Sequence, residues 1–328
     1  MNPKRKIYLM MNNVPGLSAL TNIAMKLNLM LFHFDERKQR KHYGGEDPEK
    51  TYYVIRSRGR QEGLLSTYYY VMNEMKYAID KGCIPVVDFS TDLCQYHMDA
   101  LIDGINNAWE YYFEQPLTLK EAKLNQKKNV VLNGWTLGKI SRDQIDDEWK
   151  RKFFDEMCPI KANVRELADE KYQKLFATCD MGGGGGGILG VFLRGTDYVS
   201  LRPKGHHVQP TVEQLCDKID DFLKLHVIKK IYVVTEDYEI YLQIQNRYGS
   251  MVFSADDNFV KEYNQKDYLE SSLDGNAYTR GRDYLVRLIL LGRCDYLISS
   301  LASGSEFVLD YKKDEYKDRY LFDLGLYS

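Results

Sequence analysis

"ILGVFLRGTDY", residues 188 to 198, opens with an uninterrupted apolar run of strand length, stops at an arginine, and continues into the polar loop "RGTDYVSLRPKGHHVQP". The same alternation recurs downstream. In "TVEQLCDKIDDFLKLH", Val212, Leu215, Ile219, Phe222 and His226 recur at three and four, which predicts an amphipathic helix. "IYVVT" reads as a buried strand, "EIYLQIQNRYG" as a helix ended by Gly249, and "MVFS" as a strand. "DYLVRLILLGR" reads as a helix, "DYLISS" as a strand, and "SGSEFVLDY" as the start of another helix. Strands separated by helices of this length predict an α/β chain with a parallel, doubly wound sheet, whose ligands bind beyond the carboxyl ends of the strands. Arg194, the first residue past the strand, stands at that edge, where a guanidinium can grip a phosphate with two parallel hydrogen bonds.

The six glycines at 182 to 187 compete with Arg194 for that role. A phosphate-binding glycine loop follows a strand and opens a helix, so that free N–H groups and the helix dipole meet the anion. These glycines follow helices and precede a strand, and no Lys-Ser/Thr pair follows them. They read as a flexible interdomain linker or a shortened loop. Upstream, "YYVIR" (52 to 56) reads as a strand, "STYYYVMNEMKYAIDKG" (66 to 82) as a helix closed by Gly82, and "CIPVVDF" as the returning strand. "NAWEYYFEQP" reads as a helix, "NVVLNG" (129 to 134) as a strand, and 146 to 177 as helical and charged. The expected division is an N-terminal domain over 1 to 180 and a C-terminal domain over 181 to 328.

At 328 residues the chain is long enough for two domains and a sizeable core. Apolar residues make up 44%, charged residues 28%, and the formal net charge is −2, which gives no support to a nucleic-acid partner. The six cysteines, Cys83, Cys94, Cys158, Cys179, Cys216 and Cys294, form no C-x-x-C pair and no zinc spacing with histidine, as expected of reduced cysteines in a cytoplasmic protein. "MNPKRKIYLMMNNVPGL" lacks the form of a signal peptide, and Ala24 to Phe34 is too short and too polar to span a bilayer. Membrane contact, if made, would be peripheral. The 26 tyrosines suit half-buried surfaces and sugar-sized ligands.

"VFLRGTDY", with "HHVQP" shortly after it, resembles the H-x-R-R-[GT]-D signature of the superfamily of α1,6-, α1,2- and protein O-fucosyltransferases. "YVVTED" is similar to that superfamily's second motif, and "GRDYLVRLILLGRCDYLISSLASGSEFVL" to its third. "EGLLSTYYYVMNEMKYAIDKGCIPVVD" followed by "WEYYF" is similar to the amino-terminal turn and helix of the α1,6 enzymes. Phe192 stands where the family has histidine, and Gly195 replaces the second arginine. The resemblance implies two Rossmann-like domains facing a central crevice, the GT-B arrangement. It also implies inverting, metal-independent transfer of L-fucose from GDP-fucose, the donor substrate, to a glycan, with no cofactor. Transfer from another nucleotide sugar, and a catalytically silent sugar-nucleotide or glycan-binding module, remain as alternatives.

Under that resemblance Arg194 meets the β-phosphate and glycosidic oxygen, and Asp197 either holds the Arg194 fork, the reading preferred here, or takes the acceptor's proton. Gly195 belongs to the same donor-side turn. Arg202 and Lys204 form a cationic loop suited to a diphosphate or simply a solvated face, and His207 matches the family's histidine before the next helix. Thr235, Glu236 and Asp237 end a strand, where one acid could accept ribose or guanine donors; they also fit a helix cap. Ser300, Ser303, Gly304 and Ser305 end a strand and open a helix, a phosphate site. Asp283 could reach guanine or lie on a solvated helix face. Gly63 and Ser66 turn into the first helix toward the expected crevice, and one of Tyr68 to Tyr70 could stack on a sugar. No metal site is expected.

Overall fold

The structure, a computed structural model, describes residues 51–57, 62–90, 94–124, 129–132, 145–176, 186–255, 259–261, 276–313 and 315–328. Residues 1–50, Cys179 and glycines 182–185 lie outside that set, and with them the readings placed on the N-terminal segment and on most of the glycine run. The chain divides into two compact units, Met1–Lys161 and Ala162–Ser328.

The first unit runs β1 (Thr51–Arg56), α1 (Leu64–Asp80), β2 (Ile84–Asp88), a 3-10 turn (Trp109–Tyr111), α2 (Leu119–Leu124), β3 (Asn129–Leu132) and α3 (Asp147–Lys152), with a π turn over Phe153–Met157. Its parallel sheet has the order β2-β1-β3. Tyr52, Tyr53, Val54 and Ile55 are all buried, as a central strand covered on both faces requires.

The helix expected over "NAWEYYFEQP" is not formed beyond the 3-10 turn. The flanking amides have other work. Asn107 Oδ1 accepts from Phe89 N (2.8 Å) while its Nδ2 donates to Val87 O (2.7 Å), and Gln115 Oε1 accepts from Val87 N (2.7 Å). Two side chains thus bond the backbone of β2, an edge strand among the described residues, and a continuous helix could not deliver both. Tyr68, Tyr69 and Tyr70 are all buried. Tyr68 packs among Trp109, Phe113 and Phe153, and Tyr70 donates to Arg56 O, so none of the three is left to stack on a sugar. The helical stretch expected over 146 to 177 breaks at Cys158, where the following Pro159 disfavours helical backbone.

The second unit runs α4 (Ala162–Phe176), β4 (Gly187–Phe192), α5 (Thr196–Leu201), α6 (Val212–Leu225), β5 (Ile228–Val234), α7 (Tyr238–Tyr248), β6 (Val252–Phe253), α8 (Ala277–Gly292), β7 (Tyr296–Ser300), α9 (Ser303–Lys312) and β8 (Asp318–Phe322). The sheet has the order β6-β5-β4-β7-β8 and every pairing is parallel. Its core joins Leu189 and Val191 of β4 to Leu215 and Ile219 of α6, Ile231 and Val233 of β5 and Ile298 of β7. Each such side chain contributes about 1.5–3 kcal/mol by leaving water.

α4 packs on α8, and Asp169 pairs with Arg293, so 162–176 belongs with the second sheet; the sequence reading kept it ahead of a boundary at 180/181. Gly187 is the first residue of β4, and a Cβ there would lie 2.6 Å from the Tyr296 ring, so the last glycine of the run is a packing position. In this unit two elements are additions to the sequence reading. α5 lies in the stretch read as loop, and β8 is an edge strand with only Phe322 fully buried, too weakly patterned to stand out. Among the described residues no helix is long and apolar enough to cross a membrane.

Candidate active site

β4, β5 and β7 lie side by side, and their carboxyl ends bring together Arg194 with its following turn, Thr235 to Asp237, and Ser299 to Ser305. Glu236 organises this edge. Its Oε1 accepts from Arg194 Nε (3.1 Å), Gly195 N (3.0 Å) and Thr196 Oγ1 (3.0 Å). Asp197 Oδ1 accepts from Arg194 Nη2 (2.9 Å). The guanidinium side chain is 17% exposed, and its two carboxylates are 8% and 13% exposed. Burial pulls the arginine pKa down, but the Glu236 and Asp197 charges outweigh it and hold the group well above its ordinary value. Arg194 is therefore a fixed cation. Its Nη1 meets no acceptor among the described residues, so those N–H donors are uncommitted there.

The turn after Arg194 is strained and over-determined. Thr196, a β-branched residue, has φ +41°, a conformation that costs of order 1–3 kcal/mol. Thr196 N donates to Asp237 Oδ2 (3.3 Å) and its hydroxyl to Glu236. Gly195 is required by close approach, since a Cβ there would lie 2.6 Å from Asp237 Oδ2. That accounts for glycine where the family places its second arginine. Asp237 also caps α7, its Oδ1 accepting from Glu239 N and Ile240 N. Thr235 Oγ1 accepts from Asp237 N (3.2 Å).

Two tyrosines complete the site, neither of them assigned a role from the sequence. The Arg194 guanidinium lies 4.4 Å over the Tyr198 ring, a cation–π contact. Tyr198 Oη lies 3.2 Å from His206 Nδ1, and the imidazole pKa is lowered by partial burial and then by the Arg194 charge. Tyr284, on α8, has its phenol pKa pushed up to about 12 by burial, against an opposing pull from Arg194. A Cβ on Gly304 would lie 2.7 Å from Tyr284 Oη and 2.8 Å from the Phe192 ring, so both aromatics press on the first turn of α9. Phe192, where the family has histidine, is a buried packing residue. Tyr198 was within reach of the sequence, four residues after Arg194; Tyr284, ninety residues away, had no local signal.

No family model matches the sequence, and no curated protein matches it. Among solved structures, NodZ α-1,6-fucosyltransferase soaked with GDP-fucose superimposes with a TM-score of 0.52 at 15% identity, covering 84% of this chain and 96% of that one. The same enzyme co-crystallised with GDP gives a TM-score of 0.53 at 15% identity, covering 84% and 95%. The selenomethionine form of fucosyltransferase NodZ from Bradyrhizobium also gives 0.53, with the same identity and coverage. The chain shares the fold of these fucosyltransferases. Within that fold, the residues named from sequence fall into distinct groups.

Arg194, Gly195, Asp197, Thr235, Glu236 and Asp237 form one hydrogen-bonded cluster. Asp237 satisfies its cap, while Glu236 holds the arginine. Ser300 Oγ is fully buried without a partner among the described residues, and so is Gln209 Oε1, whose amide Nε2 donates to Leu301 O (3.4 Å). Ser305 is committed elsewhere: its hydroxyl accepts from Ala302 N (2.8 Å) and lies against Ser300 O, closing the α9 turn from inside. Ser303 and Gly304 start α9. His207 bridges to Leu326, its Nδ1 buried and without a partner among the described residues. Arg202, which leaves α5 in a left-handed conformation, and Lys204 are exposed. Asp283 accepts from its neighbour Arg282 (2.9 Å) on the side of α8. Gly63 precedes α1 in the first unit, where Ser66 Oγ donates to Glu62 (3.3 Å). No group of three His, Cys, Asp or Glu among the described residues is placed to hold a metal ion.

Proposed function

We propose that this chain is a glycosyltransferase that moves L-fucose from GDP-fucose to a glycan acceptor with inversion, without a metal. The observation that carries the reading is Arg194, a largely buried cation whose Nη1 meets no acceptor among the described residues, at the carboxyl end of the central strand β4. A sugar–nucleotide bond breaks with negative charge growing on the diphosphate, and donors fixed beforehand stabilise that charge without having to reorganise. The N-terminal N–H groups of α9, with Ser303 and Gly304 in its first turn, supply the second set of donors, and the unpartnered Ser300 hydroxyl lies at the strand end beside them.

Asp197 acts as the holder of the arginine fork: its carboxylate is engaged at 2.9 Å and it sits in the same turn. GDP as the nucleotide and fucose as the sugar are supported by the motif resemblance and by a shared fold whose solved examples were soaked with GDP-fucose or co-crystallised with GDP. Glu236, occupied by three donors on one oxygen, keeps Oε2 for a nucleoside hydroxyl or base N–H. A thermal-shift panel of GDP, UDP, CDP and ADP, followed by a GDP-fucose hydrolysis assay, tests the reading. Stabilisation by GDP above the others, with GDP released from GDP-fucose, supports it; stabilisation by another base replaces the donor, and binding without turnover assigns a silent module.

A further inference from the structure

We propose that the amino-terminal edge of the second sheet docks on an anionic membrane surface. The stretch from the end of α6 into β5 reads "KLHVIKK", residues 224 to 230, and its two aliphatic side chains that point outward, Leu225 at 73% and Val227 at 69%, are the most exposed large hydrophobics among the described residues. His226 between them points inward, stacked on Tyr296 and bonded to Asp318 (2.8 Å), so the backbone that presents Leu225 and Val227 is anchored to the starts of β7 and β8. Their exposure is a held geometry.

The surroundings are basic. Lys224 precedes the pair, Lys229 and Lys230 follow it, and Arg319 is exposed on β8 directly after Asp318. Three carboxylates nearby are paired, Asp318 with His226, Asp221 with Lys218 (2.9 Å) and more loosely with Lys224 (3.8 Å), and Asp295 with Lys317 (2.6 Å), while Glu315 is exposed and Lys230 Nζ donates to Ser250 O (2.7 Å). Two protruding aliphatics are far too small an apolar area for a stable protein interface, which needs about 800 Å² from each partner. They do suit shallow insertion at the headgroup boundary, where lysines and arginines gain from anionic lipid. Arg194 lies at the other end of the strands. The seven residues of β5 separate the two edges by roughly 20 Å, so a chain docked this way keeps the Arg194 edge away from the lipid surface.

The test is co-sedimentation of the full chain with phosphatidylcholine vesicles, with and without phosphatidylglycerol. Binding is expected only when phosphatidylglycerol is present, weakening as salt rises. Leu225→Asp with Val227→Asp, and separately Lys229→Glu with Lys230→Glu, should each lower the bound fraction about tenfold or more. Both pairs are surface changes, and unchanged melting temperature and GDP binding would show that the fold and the opposite edge are intact. Failure to bind phosphatidylglycerol vesicles overturns the proposal, as does equal binding to pure phosphatidylcholine. Undiminished binding by the double aspartate variant also overturns it, because the contact would then be simple charge adsorption without insertion.

Discussion

Replacing Arg194 with alanine separates its two roles, holding the turn and meeting the leaving group. Structurally, the change strands Glu236 and Asp197, carboxylates 8% and 13% exposed, without their cation. Breaking a buried ion pair costs about 3–5 kcal/mol when the partner is left wholly uncompensated. Here Glu236 keeps Gly195 N and Thr196 Oγ1 as donors, and the site is not sealed, so about 2–3 kcal/mol is the better expectation. In a unit of this size that lowers the melting temperature by roughly 4–12 °C. Catalytically, an interaction that strengthens as GDP departs should cost turnover about a hundredfold or more, with a smaller loss of GDP affinity. The two effects part in the double variant Arg194→Ala with Glu236→Gln, which removes one of the two stranded charges while keeping an acceptor for the turn. Its melting temperature should recover in part and its GDP-fucose turnover should not. Arg194→Lys should rescue little, since an ammonium cannot bond Glu236, Asp197 and a phosphate through one planar fork. Recovery of turnover along with stability would refute the reasoning and make Arg194 a structural residue only.

Three further outcomes are expected. Turnover should persist in excess EDTA, because Arg194 and the α9 N–H groups are placed to meet the diphosphate charge; loss of activity restored by manganese would contradict this. Gly195→Ala should destabilise by about 1–3 kcal/mol and slow turnover, because its Cβ, 2.6 Å from Asp237 Oδ2, displaces the cap of α7 and the Arg194 turn together; an unchanged thermal melt would show that the turn yields freely. His206 should titrate below the ordinary histidine value of about 6.5 by NMR and rise in Arg194→Ala. Since the unfolded chain then takes the proton more readily, its contribution to stability is present above that value and is lost as pH falls below it; a midpoint at or above 6.5 in the parent chain would count against the arrangement.

Much of the second unit was legible because its signals are local. "ILGVFL", "IYVVT" and "DYLISS" are apolar runs of strand length, and "TVEQLCDKIDDFLKLH" carries helical spacing together with its own capping box, Thr211 with Gln214. The position of Arg194 followed from chain order alone, since the residue after a parallel strand must stand at the ligand-binding edge. In the first unit the same reasoning failed at "NAWEYYFEQP". Helical spacing of aromatics there was real, but the edge of β2 needed partners, and Asn107 and Gln115 met that need only because the backbone between them is not a helix.

The sequence by itself determined the alternation of strands and helices, the parallel order and the arginine at the strand end, all of which rest on periodicity and on neighbours along the chain. Only the tertiary structure decided what each polar group at that end does. Glu236 and Asp237 looked equivalent as neighbours, yet one holds Arg194, Gly195 and Thr196 while the other caps α7 and excludes a side chain at residue 195. Ser300 and Ser305 looked equivalent too, yet one hydroxyl is unpartnered and the other closes its own helix turn. The reason is physical: a hydrogen bond or an ion pair acts over about 3 Å, and which groups come within that distance across forty or a hundred residues depends on how the strands align in the sheet.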